Sequence, residues 1–297
     1  MTAFSSWRAL FVREYLEHRM AFQWAPIGIL TLIGIAGLSS VTLRRIDGLE
    51  KFPYFDALKI YELGYLVLLA LWLAYLAVAL FFYFGDAFSA DRRNNAMLFW
   101  KSMPITDAKI LTSKVLAGLM FFPALILVVA MASGLLLYLL VNLAAYVAPI
   151  LGFLSPLAGL SAFGQVTLFG VVFFVLVMAW FAPFFAWVGG LSTIFGRWSL
   201  PLAFVIPGLL TVIENVSFFG QGPRGGYIWQ YIAYRLNYGG LNEADFQLMA
   251  MNSRPFDAMF YINRLIQGTN WTQMGIGLAF AVIVIFLASE YRRRRIA

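Results

Sequence analysis

Apolar residues in this chain fall into blocks of about 20 without a charge, the length that crosses roughly 30 Å of hydrocarbon at about 1.5 Å per residue. The blocks predict six helices, at about 22–41, 64–84, 115–141, 166–195, 200–216 and 274–289. The fifth is short and contains Pro201 and Pro207, so it reads either as a full span or as a broken, partly re-entrant helix buried by its neighbours. Losing it would put the two termini on opposite sides. Gly118, Pro123, Pro183 and Pro207 mark points where spans bend or hold a fixed kink.

Three polar segments interrupt the apolar pattern. Phe4, Trp7, Phe11 and Tyr15 recur at i, i+3, i+7 and i+11 with Arg13 and Glu17 opposite. That stripe predicts an interfacial elbow helix over residues 1–21, or a plain lead-in helix, ahead of a transmembrane domain over 22–297. Glu14 and His18 intrude on the stripe. Residues 85–114 predict two short helices, one over about 87–101 and one after Pro104, with Thr106 as N-cap and Asp107 in the first turn facing the helix dipole. Residues 217–272 are too long and too aromatic for a bare connector, and predict short helices over 228–236, 243–251 (capped by Asn242) and 255–267 (Ser253 near its start). These would pack as a small extracytoplasmic cap or lie on the membrane surface. The fold class is therefore an all-α membrane protein of about six transmembrane helices.

Composition agrees with a lipid solvent. Of 297 residues, 62% are hydrophobic and 12% charged, whereas soluble domains carry about 25% charged residues. Basic residues set the orientation, because Lys- and Arg-rich loops stay cytoplasmic. With both termini inside, the inner segments hold Arg8, Arg13, Arg19, Arg92, Arg93, Lys101, Lys109, Lys114, Arg197 and the run Arg292 to Arg295. Their acids are Glu14, Glu17, Asp86, Asp91, Asp107 and Glu290, so the inner side carries the whole net charge of +7 and the outer side is neutral. The terminal arginine run follows directly on an apolar stretch, which favours a topogenic anchor on anionic lipid over nucleic-acid binding. The first twenty residues lack the apolar core of a cleavable signal. Asn215-Val-Ser217 and Asn270-Trp-Thr272 match the glycosylation acceptor pattern on the outer side, a triplet that also arises by chance.

Candidate chemistry is sparse. There is no cysteine and the one histidine is His18, so a thiolate or histidine metal site and a Ser-His-Asp arrangement within the membrane are excluded. Ion-coupled carriers keep ionisable groups near the bilayer midplane. Here the deeper spans offer scattered polar residues such as Thr167 and Thr211, and, near the outer interface, Glu214, which reads as a helix cap or a partner of Arg224 before it reads as a substrate or proton site. No G-x-x-x-x-G-K-[ST] loop occurs, so ATP hydrolysis by that route would need a partner.

The inner loop mixes acids, bases and aromatics, and Phe99 and Trp100 must pack on the loop itself, the headgroup layer or a partner. Asp91, a helix through Trp100, the turn Ser102-Met103-Pro104-Ile105-Thr106 and then Lys114 leading into the third span follow one another in order. In that order the chain resembles the ABC type-2 permease family, the membrane subunits of ATP-driven exporters. Asp91 stands where many members have Glu, which keeps the charge and shortens the reach. The resemblance implies that this loop carries a coupling helix docking on an ATPase, with Asp91, Arg92, Arg93, Phe99, Trp100, Pro104, Ile105, Thr106 and Lys114 as the ATPase-coupling residues. It further implies a bacterial inner-membrane protein with cytoplasmic termini, paired with a second copy or a sister permease. ATP and Mg would be held by separate nucleotide-binding subunits, with no cofactor in this chain and no enzymatic activity of its own. Membrane lipids are the remaining expected partners, and nucleic acid is not one. The apolar walls suggest a hydrophobic or amphipathic substrate. A membrane scaffold using the same loop on another partner, or a secondary carrier, are the alternative readings.

Overall fold

The computed structural model describes residues 3–43, 56–93, 106–218, 225–251 and 254–295. Among them there are helices and no strands. The helix α1 (Ala3–Arg19) continues through a π turn (Met20–Trp24) into α2 (Ala25–Thr42). Then come α3 (Ala57–Arg93), α4 (Asp107–Leu116), a second π turn (Ala117–Phe121) and α5 (Phe122–Val147). The rest is α6 (Pro156–Phe195), α7 (Ser199–Ser217), α8 (Gly226–Leu236), α9 (Glu243–Met251), α10 (Ala258–Gly268) and α11 (Trp271–Arg295).

Among the described residues, five continuous stretches are long and apolar enough to cross a membrane: Trp7–Thr42, Ala57–Ala90, Ala108–Val147, Pro156–Ser217 and Trp271–Arg294. The fourth, at 62 residues, would be about 93 Å long as one rod, some three times the hydrocarbon thickness. It is instead folded on itself. Gly196 takes φ +57, the chain turns through Gly196–Trp198, and α7 runs back along α6. Trp187 Nε1–H donates to the Ala203 carbonyl at 3.4 Å, and Val188, Leu191 and Ala203 bury one another. The helix α7 is continuous through Pro207, with Pro201 in its first turn, where no intrahelical donor is needed.

Two expected boundaries are corrected. A separate loop helix starting at Ala87 is absent, because α3 runs unbroken from the second apolar block to Arg93. Ala87, Phe88 and Ala90 are buried there, and Gly85 packs so closely on Leu200 that a Cβ would lie 2.6 Å from it. The remainder of that expected helix, up to Lys101, lies outside the described residues. Between α1 and α2 the backbone stays helical, with Ala25 N–H reaching back to Met20 O in place of a break. Both π turns lie just before a proline, Pro26 and Pro123. A proline removes the N–H that the carbonyl four residues earlier would accept, and widening the preceding turn accommodates that loss.

The core is built around α3. Tyr65, Leu69, Trp72, Leu76 and Leu80 lie buried along one face, against Ile126 and Ala130 of α5 and Val166 and Phe169 of α6. Trp72 Nε1–H donates to Ser133 Oγ at 3.2 Å, and the hydroxyls of Tyr65 and Thr167 share a hydrogen bond at 2.9 Å. Away from this core, Leu32, Leu71, Val128, Phe204 and Phe286 are exposed. Such rows of bare apolar side chains suit hydrocarbon as solvent.

One end of the bundle gathers α1, the end of α3, α4, the Gly196 turn and the end of α11. Ser199 Oγ donates to Gly85 O at 2.7 Å and Arg292 Nη1 to Phe88 O at 3.3 Å. The opposite end carries α8, α9 and α10. There Glu62 accepts the Phe256 N–H at 2.8 Å and Gln165 accepts the Ala258 N–H at 3.0 Å, so side chains of α3 and α6 hold the start of α10. Helix α9 has the expected bounds and a reciprocal cap: Asn242 Oδ1 accepts from Asp245 N, and Asp245 Oδ2 from Asn242 N. The cap of α10 is Asp257, accepting from Phe260 N at 3.2 Å, and Ser253 lies outside the described residues.

Candidate functional site

The most developed polar constellation lies at the α1 end. Helix α4 starts where Thr106, in extended conformation, accepts the Lys109 N–H, and two turns later it turns Lys114 into the protein. Lys114 Nζ meets Glu14 Oε1 of α1 at 2.8 Å, and both side chains are buried. The Tyr83 hydroxyl of α3 lies 3.0 Å from Glu14 Oε2 and 2.9 Å from Lys114 O, bridging the two. Three chain segments thus meet at one charged point. An apolar collar shields it: the His18 ring stands edge-on to Tyr83 at 4.8 Å, and Phe22 and Phe122, from the two π-turn regions, stack at 3.9 Å. On the outside of the same junction the Lys109 ammonium lies 5.3 Å from the centre of the Trp7 ring.

Such a node ties α1, α3 and α4 together. Water exclusion strengthens the Glu14–Lys114 attraction and makes separating its partners expensive. Ligating atoms of Glu14, Glu17 and His18 lie within 4.8 Å of one another, but the Glu14 carboxylate is engaged by Lys114 and that of Glu17 by Arg13 at 2.7 Å. A cation there would face two existing positive charges. Beside the node, a groove of about 390 Å³ lies between the first π turn and α3, lined by Ala21, Phe22, Val78, Ala79 and Phe82 with His18 and Asp86.

The expected coupling residues are distributed as follows. Asp91, Arg92 and Arg93 form the last turn of α3, and Thr106 caps α4 at the surface. Phe99, Trp100, Pro104 and Ile105 lie outside the described residues. Lys114 faces inward and is buried against Glu14. Glu14, the partner that holds it there, was legible only as an acid interrupting an apolar stripe. Arg292 is likewise buried on Phe88 O, leaving Arg293 and Arg294, both paired with Glu290, as exposed members of the terminal run. At the other end, Glu214 accepts the N–H groups of Tyr227 and Ile228 at 2.7 and 3.0 Å, so its carboxylate caps α8. Arg224, its other expected partner, lies outside the described residues.

Compared with family models, curated proteins and solved structures, the chain matches none.

Proposed function

We propose that this chain is the membrane subunit of an ATP-driven exporter, with six membrane passes, both termini cytoplasmic, and the loop between α3 and α4 acting as the dock for a separate ATPase subunit. In this reading α2, α3, α5, α6, α7 and α11 cross the bilayer, and the end that gathers α1, α4 and Arg292 faces the cytoplasm. The observation that carries the reading is the buried Glu14–Tyr83–Lys114 node. It joins the N-terminal helix to the helix that leaves the charged loop, so displacement of the loop reaches α1 and α2 as well as α5. An interaction loop without mechanical duty has no need of a desolvated ion pair directly behind it. Closure of two ATPase subunits on ATP would press the loops of two such chains and shift their spans about a shared path. The groove between the first π turn and α3, with apolar walls and polar residues among its lining, favours an amphipathic or hydrophobic cargo.

The reading is tested by purifying the tagged chain from its native membrane and identifying what copurifies. The expected result is a nucleotide-binding subunit whose recovery falls with Asp91→Ala and Pro104→Ala. Recovery of no such subunit, or variants that behave as wild type, would overturn it.

A further inference from the structure

Helix α8 exposes a surface that water does not suit. Tyr227, Trp229, Tyr231, Tyr234 and Leu236 are 65, 52, 47, 42 and 54% exposed, and the single charged residue of the helix, Arg235, is buried. The neighbouring cap helices also expose apolar residues, Phe246 and Leu248 on α9 and Met259 and Phe260 on α10, but beside exposed Glu243 on α9 and Asn263 and Arg264 on α10.

The start of α8 is tied to the end of α7, and its far end to the start of α11 and the interior of α6. At its start, Gly225 and Gly226 adopt φ +86 and +82. A Cβ on Gly226 would lie 2.7 Å from Glu214 Oε2, so the bare backbone is what lets Glu214, in the last turn of α7, cap the helix. At its far end Arg235 reaches between α6 and α11. Its guanidinium lies 4.0 Å from the centre of the Trp180 ring and donates to Trp180 O at 2.6 Å and to Gln273 O at 3.2 Å, while Trp180 Nε1–H donates back to Arg235 O at 2.8 Å. Gly277 leaves room for it, since a Cβ there would lie 2.6 Å from Nη2. Gly277 is six residues, or about 9 Å, into α11. The helix therefore bridges the ends of two helices long and apolar enough to span, at the depth where hydrocarbon gives way to headgroups.

We propose that α8 lies in the headgroup layer of the bilayer at the cap end, with Tyr227, Tyr231 and Tyr234 on one flank of its exposed arc and Trp229 and Leu236 on the other as the contacts, and Arg235 as the anchor that holds it against the bundle. Tyr and Trp are the side chains that bilayer interfaces select, because one end of each is apolar and the other is wet. Continuity with the bare apolar surface of α7, where Val212, Ile213 and Val216 are exposed, makes lipid the occupant. The inference rests on α7 and α11 crossing the membrane and is independent of the exporter reading. Of the two expectations for the outer segment, it places α8 on the membrane surface and leaves α9 and α10 as the packed cap.

The chain contains no cysteine, so single nitroxide labels can be introduced at Tyr227→Cys, Trp229→Cys and Leu236→Cys, with Gln247→Cys on α9 as reference. In the full chain reconstituted in phosphatidylethanolamine and phosphatidylglycerol vesicles, collisions with oxygen report bilayer contact and those with a water-soluble nickel chelate report exposure to water. The expected oxygen-to-nickel ratio is several-fold higher at the three α8 positions than at residue 247. Ratios equal to that at 247 overturn the proposal. So does low collision with both reagents, which would mean that protein, such as a second copy, covers the face. Should the cysteine variants fail to fold, Trp229 emission, taken as wild type minus Trp229→Phe, is expected to be quenched by lipids brominated near the carbonyl and to resist aqueous iodide. Quenching by iodide would overturn the proposal.

Discussion

Replacing Lys114 by methionine keeps the length of the side chain and removes its charge, leaving the Glu14 carboxylate buried without its ammonium partner. Removing one partner of a buried ion pair costs about 3–5 kcal/mol, most of it the penalty of the stranded charge. At about 2 °C per kcal/mol for a chain of this size, the melting temperature should fall by roughly 6–10 °C. Glu14→Gln should do nearly as much damage by stranding the ammonium. The double variant strands neither and should recover most of the loss, giving a coupling energy of about 2 kcal/mol or more in the double-mutant cycle. Intrinsic tryptophan fluorescence during thermal unfolding in detergent reads all four proteins. Single variants that lose less than about 1 kcal/mol, as an exposed pair would, with no recovery in the double variant, would refute the buried node and the coupling argument built on it.

Other predictions address separate parts of the fold. Gly134→Ala would place a Cβ 2.6 Å from the buried Tyr65 ring, whose hydroxyl is tied to Thr167, so overpacking should cost about 1–3 kcal/mol in the same melting assay. Thr106→Ala removes the N-cap of α4 and should cost about 0.5–2 kcal/mol, seen as faster amide exchange in the first turn of that helix. The Asn242 backbone N–H, together with the adjacent Arg264 guanidinium, holds the Asp245 carboxyl below the usual carboxylate range. A depressed folded pKa means that this contribution to stability is present above the unfolded value of about 3.9 and is lost as pH falls through the folded value. Amide exchange over α9 should therefore accelerate below about pH 4, and Asp245→Asn should flatten that dependence.

Elements specified by neighbouring residues were the readable ones. The apolar blocks located the spanning-length helices, and Thr106 and Asn242 marked the starts of α4 and α9 because a cap acts within one turn. What the sequence concealed depends on partners far along the chain. Helix α3 continues past Gly85 because Ser199, Leu200 and Arg292 supply something for its last turns to bury against, and nothing local to 85–93 announces them. The expected start of α10 at 255 missed Asp257 as its cap, and the hold of Glu62 and Gln165 on Phe256 and Ala258 favours the later start. Arg235 reads as an ordinary base on an amphipathic helix until Trp180 and Gly277 are brought beside it. Glu14 was the one long-range feature with a local trace. Its interruption of the apolar stripe was visible, but that its partner is Lys114, a hundred residues later, was not.

The central proposal, an ATPase dock on the loop between α3 and α4, is tested most directly by a photocrosslinker in place of Phe99, activated in native membranes during ATP turnover. A nucleotide-binding ATPase subunit joined to the loop, with a crosslinking yield that changes when ATP hydrolysis is trapped by vanadate, is the predicted result. A crosslink confined to the chain's own helices or to lipid, with no ATPase captured and no response to vanadate, would contradict it.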